Sequence, residues 1–268
     1  MAQFRKDTQT YLSDAKTIFE SVVMAKNDGT VVSEASPLPI TDYGLQVARG
    51  LVTGVQGLSI SGYNSAVTGT WVPLWEIGTA YTYFSSAQQV RVWSDSASDT
   101  NVTILIQGLD SNYAMQTETV VLNNGTTGVL STKNFFRINA IATTGSVNAV
   151  GVIRAGSSDK SITLAAINDG AGRSQMTVYT VPAGYTFYLT QVNIVTNQNG
   201  SQYANYRSYT QNPQGLTTKV LQFPLVSDYN SVKIVPRPYV EKTDIQWQCS
   251  ATATSQIGGQ IEGYLIAN

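Results

Sequence analysis

From about residue 90 onward the chain is written in short runs whose apolar positions recur every second residue. Val102, Ile104 and Ile106 alternate with Thr103, Leu105 and Gln107, and a period of two marks a strand that buries one face of its pleat. Comparable runs lie at 90–93, 117–122, 135–142 and 147–153. Clusters of Gly, Asn, Ser and Thr at 94–100, 108–112, 123–128 and 143–146 punctuate them. The second half repeats the style at 176–181, 185–196, 203–209, 219–225, 231–235, 244–252 and 257–266, with Val181-Pro182-Ala183-Gly184 as a turn before the longest run. Many short strands with regular turn chemistry predict an all-β fold of sandwiches or jelly rolls. The segment Ala155-Gly156-Ser157-Ser158-Asp159 reads as a boundary. It predicts two tandem β-sandwich or jelly-roll-like domains over 49–155 and 156–268.

Residues 1–48 have another texture, with Arg5, Lys6, Asp7, Asp14, Lys16, Glu20, Lys26, Asp28 and Glu34 among them. Asn27-Asp28-Gly29 lies between the runs 17–25 and 30–35, a hairpin signal because these turn residues tolerate positive φ. Leu12, Ala15 and Phe19 fall near helical spacing, so 7–19 could carry a short helix instead. Ser36-Pro37-Leu38-Pro39 reads as an extended connector, since proline lacks the ladder donor and biases its predecessor toward extended angles. A segment this short buries too little surface to stand alone. It either docks on another protein as an arm or completes the first sandwich.

Composition sharpens the picture. Charged residues are only 12% of the chain against 42% hydrophobic, where an ordinary soluble domain carries roughly 25% charged. Polarity comes from Thr, Ser, Asn and Gln, which suits pleated surfaces and turns better than helix faces. A net charge of −1 offers no electrostatic footprint for nucleic acid. No window approaches the roughly 18 apolar residues of a membrane helix. Residues 1–11 lack the apolar run of a signal peptide.

Candidate chemistry is thin. The chain has no histidine, which removes Ser-His-Asp and Cys-His nucleophile systems and imidazole metal sites. Its one cysteine, Cys249, alternates with Ile245 and Trp247 and reads as an inert buried thiol. A glycosidase needs only two carboxylates about 5–10 Å apart, and Glu76, Glu118, Glu241 and Glu262 are available. No motif surrounds them, and each reads as a strand or turn position. The expectation is a non-enzyme without cofactor or metal.

Aromatic residues say more. Trp71, Trp75 and Trp93 cluster with Tyr81, Tyr83 and Phe84, and Tyr203, Tyr206 and Tyr209 interrupt a polar stretch. Exposed aromatics anchor interfaces or stack on sugars, whereas Trp93 and Trp247 read as core. Alternation places Tyr203, Arg207 and Tyr209 on one face, the expected contact between subunits.

The segment Phe4-Arg5-Lys6-Asp7-Thr8, followed by Phe19-Glu20-Ser21-Val22-Val23-Met24-Ala25 and Asn27-Asp28-Gly29-Thr30, resembles the N-terminal segment of virion structural proteins of tailed phages, especially marine cyanophages. Ile106–Tyr113 with Thr117–Val120 resembles their first β domain. Val178–Thr186, Glu241–Ile245 and Glu262–Ile266 resemble their second. The resemblance implies a structural part of the virion, made in the host bacterial cytoplasm, with other virion proteins as partners. Capsid decoration or head fibre comes first, and a neck, tail or baseplate accessory second. A carbohydrate-binding receptor module, with a host glycan as ligand, is the alternative from another class. Low charge and plentiful Tyr suit a homo-oligomer, with a trimer as first expectation and neither nucleic acid nor membrane as partner. Phe4, Arg5 and Asp7 join Tyr203, Arg207 and Tyr209 as expected interface residues.

Overall fold

The computed structural model describes residues 3–6, 22–25, 42–168, 170–197, 203–225 and 228–268. The chain divides into two compact units, residues 1–51 and 52–268. In the first, β1 (Gln3–Lys6) and β2 (Val22–Ala25) pair antiparallel with Phe4 opposite Met24. A short helix, α1 (Tyr43–Ala48), begins at Asp42, whose carboxylate accepts from the Gly44 and Leu45 amides and so fills two of the donors a helix start leaves open. Strand β2, which pairs with β1, falls within one flank of the expected hairpin, whose other flank at 30–35 lies outside the described residues. The Asn27-Asp28-Gly29 turn, the helix at 7–19 and the Pro37–Pro39 connector lie outside the described residues.

The larger unit is all β. It starts with β3 (Val55–Val67) and β4 (Val72–Pro73). Then come β5 (Gln88–Ser94), β6 (Val102–Leu109), β7 (Met115–Leu122), β8 (Val129–Phe135), β9 (Arg137–Thr144), β10 (Ile153–Gly156) and β11 (Thr163–Ile167). It ends with β12 (Val178–Thr180), β13 (Tyr185–Thr196), β14 (Ala204–Gln211), β15 (Thr217–Leu225), β16 (Tyr229–Tyr239), β17 (Asp244–Ala251) and β18 (Ser255–Ala267). Every pairing is antiparallel.

Two sandwiches result. In the first, the sheet β11-β10-β5-β8 lies against β7-β6-β9. Their inner faces share a core of Val90, Val92, Ile104, Ile106, Phe135 and Ile141. In the second, β12-β17-β14-β15, with β4 also on β17, lies against β16-β13-β18-β3. Its core holds Phe187, Leu189, Tyr206, Trp247, Cys249 and Ile261. Strand β13 shows how register is kept. Phe187 and Leu189 point inward, then Val192 and Ile194, a phase slip that a plain strand would turn outward. A bulge between Leu189 and Gln191, facing both neighbours, absorbs the extra residue.

The sandwiches are nested. Strand β3, which the pattern places with the first block, pairs with β18 along its length, and Val72 of β4 sits opposite Cys249. The 155–159 segment is no connector. It runs from β10 into the turn toward β11, and Ala155 faces Ala165 across that hairpin. The chain instead crosses between cores at 74–75 and again at 178–179. Leu74 and Tyr179 face the second core, while Trp75 and Val178 face the first. The crossings are neighbours: Leu74 and Thr177 bond through both backbone and side chain, and Trp75 bridges Met176. Close approach there requires glycine at 62, where a Cβ would fall 2.3 Å from the Leu74 carbonyl oxygen.

Residues 147–152 are irregular, although the sequence pattern predicts a strand there. The buried Asp99 carboxylate accepts from the Val150 and Gly151 amides. This takes up donors that a ladder would need, and it leaves Val147 and Val150 exposed.

Candidate functional site

Of the expected interface residues, Phe4 and Arg5 lie on β1, and Asp7 lies outside the described residues. Strand β14 bears the other group. Its alternation buries Ala204, Tyr206, Ser208 and Thr210 and turns Arg207 and Tyr209 outward, and Tyr203 just before it is 41% exposed. The Arg207 guanidinium stacks 4.2 Å from the Trp71 ring centroid and 5.8 Å from that of Tyr209. Its Nε donates to Gln248 Oε1 at 2.8 Å, and Gln248 Nε2 donates to Gln246 Oε1. Partial burial lowers the guanidinium pKa and Tyr209 opposes the effect. An arginine titrates so high that it stays charged. The result is an aromatic and guanidinium ledge on the outer face of the second sandwich. Trp71 reaches it because β4 joins β17, which its place among the first block's tryptophans did not reveal. Trp93 and Trp247 are buried, as their strand positions predict.

Three of the four carboxylates hold backbone, and the fourth holds a side chain. Glu118 accepts from the Thr132 and Lys133 amides, at 2.6 and 2.8 Å, and from the Thr132 hydroxyl. Glu241 accepts from the Gly184 amide at 2.6 Å and Glu262 from the Gln260 side chain at 2.7 Å. Glu76 accepts from the Gln175 amide at 2.8 Å, tying the two crossings together. Desolvation by burial raises its pKa from 4.5 to about 7, against the opposing Gln175 hydrogen bond. Cys249 is fully buried in the second core, and burial raises its thiol pKa far above the ordinary range, so it is the inert thiol its alternation predicts.

Sequence reasoning missed the most elaborate polar cluster. Arg137 of β9 in the first sandwich meets Asp244 of β17 in the second. Nε donates to Oδ1 and Nη2 to Oδ2, both at 2.9 Å, and the Thr180 hydroxyl adds a bond to Oδ1. The remaining Nη1 donates to the Phe84 and Phe136 carbonyls at 3.0 Å. The guanidinium lies 3.9 Å from the Phe136 ring centroid and 4.6 Å from that of Tyr83. Both partners are buried. A bidentate pair with its other groups satisfied is the arrangement in which a buried ion pair holds rather than costs. Asn139 adds a second fastening, exchanging two 2.9 Å bonds between its side-chain amide and the Thr180 backbone. The separation of 137 and 244 in sequence hid the pair.

Beside this seam lies a cleft of about 550 Å³ between the sandwiches. Ile60, Ala140, Met176 and Tyr179 supply apolar lining, and Ser61, Gln107, Thr117, Arg173 and Gln175 supply polar groups. Among the described residues, no set of three or more His, Cys, Asp or Glu side chains is arranged to hold a metal ion. Among the same residues, no helix is long and apolar enough to cross a membrane.

No protein-family model matches the chain, and no curated protein matches it. Among solved structures, the chain is similar to the crystal structure of PBSX exported protein XepA at 11% identity. That similarity covers 96% of this chain and 99% of that one, with a TM-score of 0.18. A score this low carries no argument about role. The all-β architecture therefore stands on the strands and cores described above.

Proposed function

We propose that this chain is a non-catalytic structural protein of a tailed-phage particle, made in the host bacterial cytoplasm and displayed as a surface accessory. Capsid decoration or head fibre is the first position, and a neck, tail or baseplate accessory the second. The observation that carries the reading is the pair of nested all-β sandwiches locked at one buried seam. Such a body suits a part that must keep its shape while packed against neighbours. The resemblance of residues 4–8 and 19–30 to virion structural proteins supports the same reading. So do the bonds that engage Glu118, Glu241 and Glu262. The ledge of Trp71, Arg207 and Tyr209 is the proposed contact with other copies of the chain or with other virion proteins. Aromatic and arginine side chains of this kind anchor interfaces.

Two measurements test this. Mass spectrometric stoichiometry of purified particles should find the chain at hundreds of copies for a capsid position, or in small ring-sized sets for neck or tail. Absence from the particles ends the proposal. In solution the mass at micromolar concentration should exceed one chain, with a trimer expected, and Arg207→Glu should return it to one chain. An oligomer indifferent to that substitution rejects the ledge as the contact.

A further inference from the structure

The walls of the cleft between the sandwiches are tied by hydrogen bonds. Its far wall, residues 171–176, is stapled to β9: Thr143 N donates to Gly172 O, Ser174 N to Ile141 O, and Ile141 N to Ser174 Oγ. The Glu76 carboxylate holds the same wall at the Gln175 amide. Its base is fixed by the Arg137–Asp244 pair and the Asn139–Thr180 exchange. Walls tied in this way lose less ordering entropy when a ligand fills the cleft. Its size falls within the roughly 300–1,000 Å³ of small-molecule sites, which favour such junctions.

Its chemistry is selective. Arg173 is the one charged residue among those lining the cleft, and no carboxylate lines it. Among the described residues the Arg173 guanidinium has neither hydrogen bond nor ion pair, and the side chains of Gln107 and Gln175 are likewise uncommitted. A guanidinium on a stapled wall presents a planar fork that fits a carboxylate. The two amides pair in two directions with neighbouring hydroxyls, and the exposed Met115 side chain on the cleft lining offers apolar surface to a sugar face.

From this geometry we infer that the cleft binds a saccharide carrying a carboxylate, a uronic-acid type of residue, with the carboxylate on Arg173 and hydroxyls on Gln107 and Gln175. This site is separate from the Arg207 ledge and independent of where the chain sits on a particle. The test is calorimetric titration of the full chain with an α-1,4-linked trigalacturonate and with its carboxyl-reduced, neutral counterpart. The acidic trimer should bind at least about tenfold more tightly, the worth of one charge-assisted contact. Arg173→Ala should abolish that preference, and Gln107→Ala should weaken both trimers. Arg173 is exposed and Gln107 makes no side-chain hydrogen bond, so both variants should keep the parent melting temperature. The inference is overturned if neither trimer binds at millimolar concentration, or if the acidic preference survives Arg173→Ala. It is also overturned if a strand-forming peptide binds where the trimers do not.

Discussion

Glu76 is the side chain whose protonation the fold most clearly controls. Burial raises its pKa from 4.5 to about 7, so the folded chain holds this proton more tightly than the unfolded one. Stability from that proton is full below pH 4.5 and is lost as pH rises toward 7. At about 1.4 kcal/mol per pH unit of difference, the loss approaches about 3 kcal/mol. Denaturant melts at pH 4.5 and 8 should show this slope, and Glu76→Gln should flatten it and raise stability at pH 8. An unchanged slope in the variant would place the titration elsewhere. Cys249 teaches the complementary lesson. Its alternation with Ile245 and Trp247 announced a buried face, and the thiol is buried. The strand's other face is buried too, at Gln246, Gln248 and Ser250, and alternation alone could not show that a polar face was covered.

Strands whose apolar positions alternate were legible: β6, β14, β17 and β18 lie where their periodicity puts them, and so does β13 on either side of its bulge. Strand β3 was not, because Leu58 and Ile60 are its main apolar pair amid Gly, Ser, Gln and Asn. Its stability comes from pairing with β18, about 200 residues distant in sequence. The same pairing bears on the N-terminal segment. Every sheet pair of β3–β18 lies within residues 55–267, so removing residues 1–51 leaves both sandwiches whole. A chain beginning at Val52 should therefore stay soluble and melt within a few degrees of the full chain. If residues 1–51 are a docking arm, it should also fail to join particles. Aggregation or a loss of several kcal/mol would instead make the segment part of the sandwich, as expected when a buried edge is exposed.

The two cores are joined where the chain crosses at 74–75 and 178–179, and the Arg137–Asp244 pair locks that seam. Removing one partner leaves the other buried and unpaired, which costs about 3–5 kcal/mol. Arg137→Met should therefore destabilise the chain strongly, and calorimetry should resolve two transitions as the sandwiches uncouple. Arg137→Met with Asp244→Leu should recover much of the loss, because no charge is then stranded. A single transition in both variants would mean that the cores are coupled through the crossings alone.

By itself the sequence determined the class of fold, most strand positions, the buried fates of Trp93, Trp247 and Cys249, and the outward turn of Arg207 and Tyr209. Each depends on a local period of two or on the chemistry of one turn, and both are written within a few residues. Tertiary structure decided the nesting of the sandwiches, the arrival of Trp71 beside Arg207, the Arg137–Asp244 seam and the cleft next to it. These depend on which strand edge meets which. Hydrogen-bonding groups along a backbone are nearly alike from strand to strand, so the choice is made by packing between residues far apart in sequence.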